Sequence, residues 1–298
     1  MIVNVSNLKK HYKKQPVLKG IDITIDTPQI IALVGPNGAG KTTLMNCMTN
    51  LLPFNEGSVE LVGKKNTDAS IFYEVSYLQD NRILYGDLTG YDHLKFICNV
   101  QKIPLSNIKK VTDRVGMTSY MKKRVRNYSL GMKQHLLLAM SIINEPKLLL
   151  LDEPLNGLDP TSAINMRNIL LELYEEGTTI ILSSHNLDEI DRLTNIIYFM
   201  KDGALLKESL QDFSANQYYV AVDHPEKAVV ALKQAGVQFT MHEGIIVFLE
   251  TEVILQEFLD LMNRNEITIT SIETKKIGAE KRYQELFAKE KTDETVAI

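Results

Sequence analysis

The run Gly35–Thr42, GPNGAGKT, has the spacing G-x-x-x-x-G-K-[ST], and each residue type in it suits the holding of a polyphosphate. Gly38 and Gly40 carry no Cβ, so backbone N–H groups can turn inward and approach phosphate oxygens. A helix starting at Lys41 adds the partial positive charge of its N-terminus to the same anion. Lys41 brings a mobile ammonium to the β- and γ-phosphates, and the Thr42 hydroxyl can ligate Mg²⁺. Gly35, Asn37, Ala39 and Thr43 complete the expected nucleotide contacts. A glycine-rich turn matching by accident is the competing explanation. QIIALV before the loop and TLMNCM after it supply the strand-to-helix context that such a loop requires.

A second group stands far along the chain, where the apolar Leu148–Leu151 ends on Asp152 and Glu153. Ligand sites of open parallel sheets lie at the carboxyl ends of the strands, so both carboxylates should face the phosphate loop. Asp152 is the expected Mg²⁺ partner, through a water, because Mg²⁺ keeps several waters and borrows one or two carboxylates. Glu153 is the candidate general base for the attacking water. Acidic residues that close a strand are also common as solvated loop residues. Their company with a phosphate loop favours the chemical reading.

These groups need a scaffold. Ile2–Val5 and Gly20–Asp26 alternate as strands do, and Gln29–Val34 reads as a short buried strand. Lys41–Leu52 reads as a helix, and Ser58–Val62 and Val75–Leu78 as strands. From about Leu88 to Asn144 the pattern turns helical. Strands return at Lys147–Leu151, Thr178–Ser183 and Ile196–Met200, with a helix at Ala163–Glu176. Strand–helix alternation with near-continuous apolar strands predicts an α/β fold with a mostly parallel sheet covered on both faces. The expected first domain spans residues 1–210, with a helical subdomain at about 88–145. After a boundary at 207–217, residues 214–298 read as strand Tyr218–Val222, helix Pro225–Ala235, hairpin Val237–Met241 and Ile245–Leu249, helix Val253–Asn263 and strand Ile267–Ile272. That β-α-β-β-α-β order predicts a small α+β ferredoxin-like domain, closed by a helix at Glu280–Lys289.

Composition excludes several classes. Over 298 residues, Lys plus Arg number 33 against 37 Asp plus Glu, a net charge of −4, so there is no global basic footprint and no nucleic-acid partner is expected. The basic Lys122–Arg126 reads as a solvated face. Two cysteines, Cys47 and Cys98, cannot form a disulfide scaffold; Cys47 reads as a small core residue, and Cys98, with no His nearby in sequence, is not expected to be catalytic. No stretch approaches a membrane span, and no signal peptide is expected at the N-terminus.

Between these groups lies a further motif set: NYSLGMKQH at Asn127–His135, NGLD at Asn156–Asp159 and SSH at Ser183–His185. Over residues 1 to about 210 the chain resembles the ATP-binding subunit of ABC transporters, in the form found among bacterial drug and antimicrobial-peptide exporters. Leu130 and Met132 depart from the family signature, and His135 stands where Arg is common, while Ser129 and Gly131 are retained. The resemblance implies a P-loop NTPase core, an ATPase using ATP and Mg²⁺, and a head-to-tail pair with a second copy or paralogue. In that pair Ser129, Leu130, Gly131 and Met132 cap the nucleotide of the other subunit. A Ser and a Gly opening a helix form an anion site on physical grounds as well, although an ordinary N-cap would look the same. The resemblance also makes His185 a γ-phosphate contact, Gln79 a sensor of Mg²⁺ and γ-phosphate, Tyr12 an adenine-stacking ring and Asp159 part of a dimer-interface loop. It leads to the expectation of a peripheral protein on the cytoplasmic face of the membrane, docked through Asp80–Val100 on a permease. Asp188 and Glu189 read as solvated. A soluble ABC ATPase acting on ribosomes or DNA, and a nucleotide sensor without turnover, are the competing functions.

Overall fold

A computed structural model describes residues 1–13, 15–79, 81–210 and 215–287. They divide into two compact units, Met1–Glu208 and Ser209–Ile298. Asp80, residues 211–214 of the expected boundary, and residues 288–289 of the expected last helix lie outside the described residues.

The first unit is built on a six-stranded sheet: β3 (Ile30–Val34), β6 (Val75–Leu78), β7 (Leu148–Asp152), β8 (Thr179–Ser183), β9 (Ile196–Lys201) and β10 (Ala204–Ser209), in the order β10-β9-β3-β8-β7-β6. The pairs from β9 through β6 are parallel. Successive strand residues point to opposite faces, and here the two faces feed two separate cores. Leu149, Leu151, Ile180 and Leu182 pack with the helices α2 (Gly90–Gln101), α3 (Ser106–Arg114), α4 (Leu130–Ile142) and α5 (Pro160–Glu175). Ile31, Leu33, Leu148, Leu150 and Ile181 pack on the other side with α1 (Lys41–Met48) and a second sheet. That is why these strands lack polar alternation: both faces are dry.

The second sheet is antiparallel, in the order β2-β1-β4-β5, from β1 (Val3–Tyr12), β2 (Gln15–Ile25), β4 (Glu56–Leu61) and the short β5 (Lys64–Lys65). Its strands bury Val3, Val5, Ile21, Ile23 and Ile25 on one face, the alternation read from the sequence. The first strand runs to Tyr12 rather than stopping at Val5, because its outer half pairs with β2 through Tyr12 and Gln15. Helix α1 ends at Met48 rather than Leu52. Thr49 Oγ1 donates to Met45 O at 2.9 Å, and Asn50 then turns left-handed at φ 56°, reversing the chain. The stretch 88–144 holds α2, α3 and α4, interrupted by a 3-10 turn at Val125–Asn127. Helix α2 is fixed by a reciprocal cap between Thr89 and Asp92. Helix α5 starts at Pro160, three residues before the expected Ala163, because Asp159 caps it. A seven-residue helix, α6 (Leu187–Leu193), follows β8.

The second unit has β11 (Ala215–Val222), α7 (Pro225–Gln234), β12 (Thr240–His242), β13 (Ile245–Leu249), α8 (Leu255–Arg264), β14 (Ile269–Ile277) and α9 (Ala279–Phe287). The sheet order β12-β13-β11-β14, antiparallel throughout, is that of the ferredoxin-like arrangement. Its core joins Tyr218, Val220, Ile246 and Phe248 of the sheet to Leu232 of α7 and to Phe258 and Met262 of α8. Phe248 and Phe258 stack at 4.4 Å. The hairpin is shorter on its first strand than the sequence suggests, with pairing confined to Thr240–His242.

Candidate nucleotide site

The loop from β3 to α1 is shaped by its glycines. A Cβ at Gly35 would lie 2.6 Å from Met200 O of β9, so nothing larger fits where the chain leaves the sheet. Gly40 caps α1 at φ 109°, a left-handed backbone, with Val17 Cγ1 only 3.0 Å from where a Cβ would sit. Lys41 follows, 7% exposed, and its Nζ donates to Gly35 O at 2.7 Å and Pro36 O at 3.3 Å. Burial pulls its pKa below the ordinary lysine value, and the nearby charges of Glu153 and Asp152 oppose that pull. An ammonium buried under a loop of backbone N–H groups is a cradle for an anion.

The carboxyl ends of β7 and β8 close on this loop. Thr42 Oγ1 donates to Asp152 Oδ2 at 2.6 Å, and Ser183 Oγ donates to Asp152 Oδ1 at 2.6 Å. Glu153 sits at φ 53°, left-handed for a residue with a side chain, and its N–H donates to Ser183 Oγ at 2.9 Å. Such a backbone costs about 1–3 kcal/mol and persists where its surroundings over-determine it. His185 Nδ1 lies 2.8 Å from Glu153 Oε2, within hydrogen-bond reach.

Asn37, Gly38, Gly40, Lys41, Thr42 and Thr43 line one cleft together with Gln79, Asp152 and Glu153. The Thr42 hydroxyl, the Asp152 carboxylate and the Gln79 amide are hard oxygen donors. They suit a Mg²⁺ that takes its remaining ligands from phosphate and water. Among the described residues there is no cluster of three or more His, Cys, Asp and Glu able to hold a metal by itself.

The signature residues are on α4. Ser129 is its N-cap, accepting from Met132 N at 3.2 Å, and Leu130 reaches the cleft, packing over Gly157. Gly131 lies close to Ser162 Oγ, and Met132 packs against the helical core. Asp159 caps α5 by accepting from Thr161 N and Ser162 N at 3.1 Å each, and the Ser162 hydroxyl holds its carboxyl below the usual range. Tyr12 stands outside the cleft lining, 47% exposed at the end of β1, with Lys10 Nζ 5.1 Å from its ring centre. Gly35 and Ala39 shape the loop from beneath rather than lining it.

Three features escaped the sequence. Ser183, which the sequence marks only as the end of a strand and the start of SSH, ties Asp152 to Glu153. Gln134 lines the cleft and, buried, leaves its Oε1 without a partner among the described residues. Its place four residues after Leu130, on one helix face, was the available signal. Glu189 is not solvated: it pairs with Arg167 at 2.9 Å, the two side chains 15% and 10% exposed, whereas its neighbour Asp188 is exposed as expected. Helix α6 turns position 189 back onto α5, which a run of acidic residues cannot reveal.

With this geometry in place, comparison with known proteins is direct. The ABC transporter family profile matches residues 18–156. The lantibiotic transport ATP-binding protein SrtF of Streptococcus pyogenes is 37% identical over 215 residues, 72% of this chain and 93% of that protein. The bacitracin transport ATP-binding protein BcrA of Enterococcus faecalis is 32% identical over 298 residues, 97% of this chain and 96% of its own. Among solved structures, an ATP-binding subunit of an ABC transporter superposes with a TM-score of 0.66 at 23% identity, covering 79% of this chain and 94% of that one. The ADP conformation of an ATP-binding cassette gives 0.62 at 22% identity, covering 71% and 92%. The chain belongs to the family of ABC transporter ATP-binding subunits and is an ATPase of that family.

Proposed function

We propose that this ATPase powers the export of an antimicrobial peptide or a similar amphiphilic compound through a permease on another polypeptide. The names of its lantibiotic and bacitracin relatives support the substrate class. No helix of the described residues is long and apolar enough to cross a membrane. In this reading the spans lie on the permease, and the ATPase works at its cytoplasmic face. A docking surface is available: Tyr85, Phe96 and Val100, on α2 and the segment before it, are 71%, 68% and 60% exposed.

The observation that carries the mechanism is the meeting of Lys41, Thr42, Asp152 and Glu153 in one cleft, with His185 on Glu153. Lys41 and the loop N–H groups hold the phosphates of ATP, and Tyr12 faces the adenine. Thr42, Gln79 and Asp152 would hold Mg²⁺, which would neutralise charge on the phosphates. Glu153 takes the proton of the attacking water, and His185 orients Glu153 and contacts the γ-phosphate. Ser129 and Gly131 of a second subunit cap the same nucleotide, with Asp159 in the loop at that interface. Such γ-phosphate contacts glue two cassettes together until hydrolysis removes them, which biases a two-state equilibrium. Residues 1–210 form the motor domain, and 214–298 an accessory domain.

Light scattering tests this reading. Glu153→Gln loaded with Mg·ATP should form a dimer that Ser129→Ala disrupts, and the protein purified from detergent extract should carry an integral membrane protein. A Mg·ATP-loaded Glu153→Gln protein that stays monomeric would sink the paired mechanism.

A further inference from the structure

Ser183 is fully buried and hydrogen-bonded on both sides at the centre of the site. Its hydroxyl has one proton, and that proton goes to Asp152 Oδ1 at 2.6 Å. The lone pairs are thereby turned toward Glu153, whose backbone N–H they accept at 2.9 Å. Thr42 donates to the other oxygen of Asp152, so the carboxylate is bracketed by two hydroxyls and its plane is set. The arrangement follows from strand register: Asp152 and Ser183 are direct partners in the parallel β7–β8 ladder. Immediately beyond that pair the chain enters the left-handed turn at Glu153, φ 53°. A bond to the amide of a strained residue holds a conformation that the residue would otherwise leave.

We infer that Ser183 is a positioning residue for hydrolysis: it locks the strained backbone of Glu153 and the orientation of Asp152 together, so that the metal-holding and water-activating carboxylates move as one unit. The inference rests on the proposed roles of those two carboxylates. Among the described residues, the Ser183 hydroxyl bonds Asp152 and Glu153 and not the phosphate loop or Lys41. Its effect should therefore fall on turnover rather than on nucleotide binding.

The experiment compares Ser183→Ala, Ser183→Thr, Glu153→Gln and the double variant Ser183→Ala/Glu153→Gln, as full-length chains. For Ser183→Ala the expected results are ATP affinity within about threefold of the parent, kcat lowered about tenfold or more, and faster hydrogen exchange at the Glu153 amide. Ser183→Thr, which keeps the hydroxyl, should recover most of the rate. Where Thr does not fold, Ser183→Cys, with its weaker donor and acceptor, should fall between parent and Ala. In the Glu153→Gln background Ser183→Ala should add little further loss, as expected of residues acting as a unit. Unchanged kcat and unchanged amide exchange in Ser183→Ala would overturn the inference, as would a loss that adds in full to that of Glu153→Gln. If Glu153→Gln alone hydrolyses normally, it is the proposed base that fails. A dead Glu153→Gln beside a normal Ser183→Ala refutes the positioning role alone.

Discussion

The two units use the same materials, short strands and amphipathic helices, to different ends. In Met1–Glu208 the strands β3, β7 and β8 run parallel and release their carboxyl ends on one side, so groups far apart in sequence gather there. Thr42 and Asp152, 110 positions apart, meet at 2.6 Å. In Ser209–Ile298 the paired strands are antiparallel, so neighbouring carboxyl ends point in opposite directions. Among the described residues, no comparable assembly of polar groups forms there. The interior is instead an apolar cluster centred on Phe248 and Phe258. In an open parallel sheet the carboxyl ends of the strands form a crevice where ligands bind.

Four perturbations would sharpen or break that contrast. The largest is Glu153→Gln, which should lower kcat by about 10²–10⁴-fold while ATP affinity, measured by titration, stays near that of the parent. Next, Phe258→Ala removes a fully buried ring and should cost the second unit about 3–5 kcal/mol in denaturant unfolding. ATP binding by the first unit should survive that change; its loss would mean the two units do not divide the labour as described. Third, Glu189→Ala leaves the Arg167 charge buried without its partner, a loss of about 3 kcal/mol read in the unfolding of the first unit only.

The smallest effect is one of pH. Burial lowers the His135 pKa below the ordinary 6.5, against the pull of Asp159, and the Tyr120 hydroxyl lies 3.0 Å from its Nδ1. The folded state therefore favours the neutral ring. Its contribution to stability is complete above pH 6.5 and is lost as the pH falls from there through the lowered folded value. Melting temperature should drop modestly on acidification, and His135→Gln should flatten that drop. A profile identical in the two proteins would remove His135 from the account.

Much of the first unit was legible because its signals are local. The phosphate loop shows itself through glycine, lysine and threonine at set spacing, and β7 and β8 through unbroken apolar runs. The order of the second unit was readable for the same reason. What could not be read depends on contacts between distant segments. The long β1 is defined by its pairing with β2 and β4. Glu189 and Ser183 have ordinary sequence neighbourhoods; only the approach of α6 to α5, and of β8 to β7, gives them partners.

The carbonyl of Met200 that presses against Gly35 sets a condition on how the protein is made. Position 35 is synthesised early, but its backing on β9 is not delivered until some 160 residues later, counting from the two sequence positions. A nascent chain that has not yet released β9 therefore carries the whole GPNGAGKT motif without the wall that shapes it. Competence to grip nucleotide should arrive late and all at once, after the parallel sheet has closed.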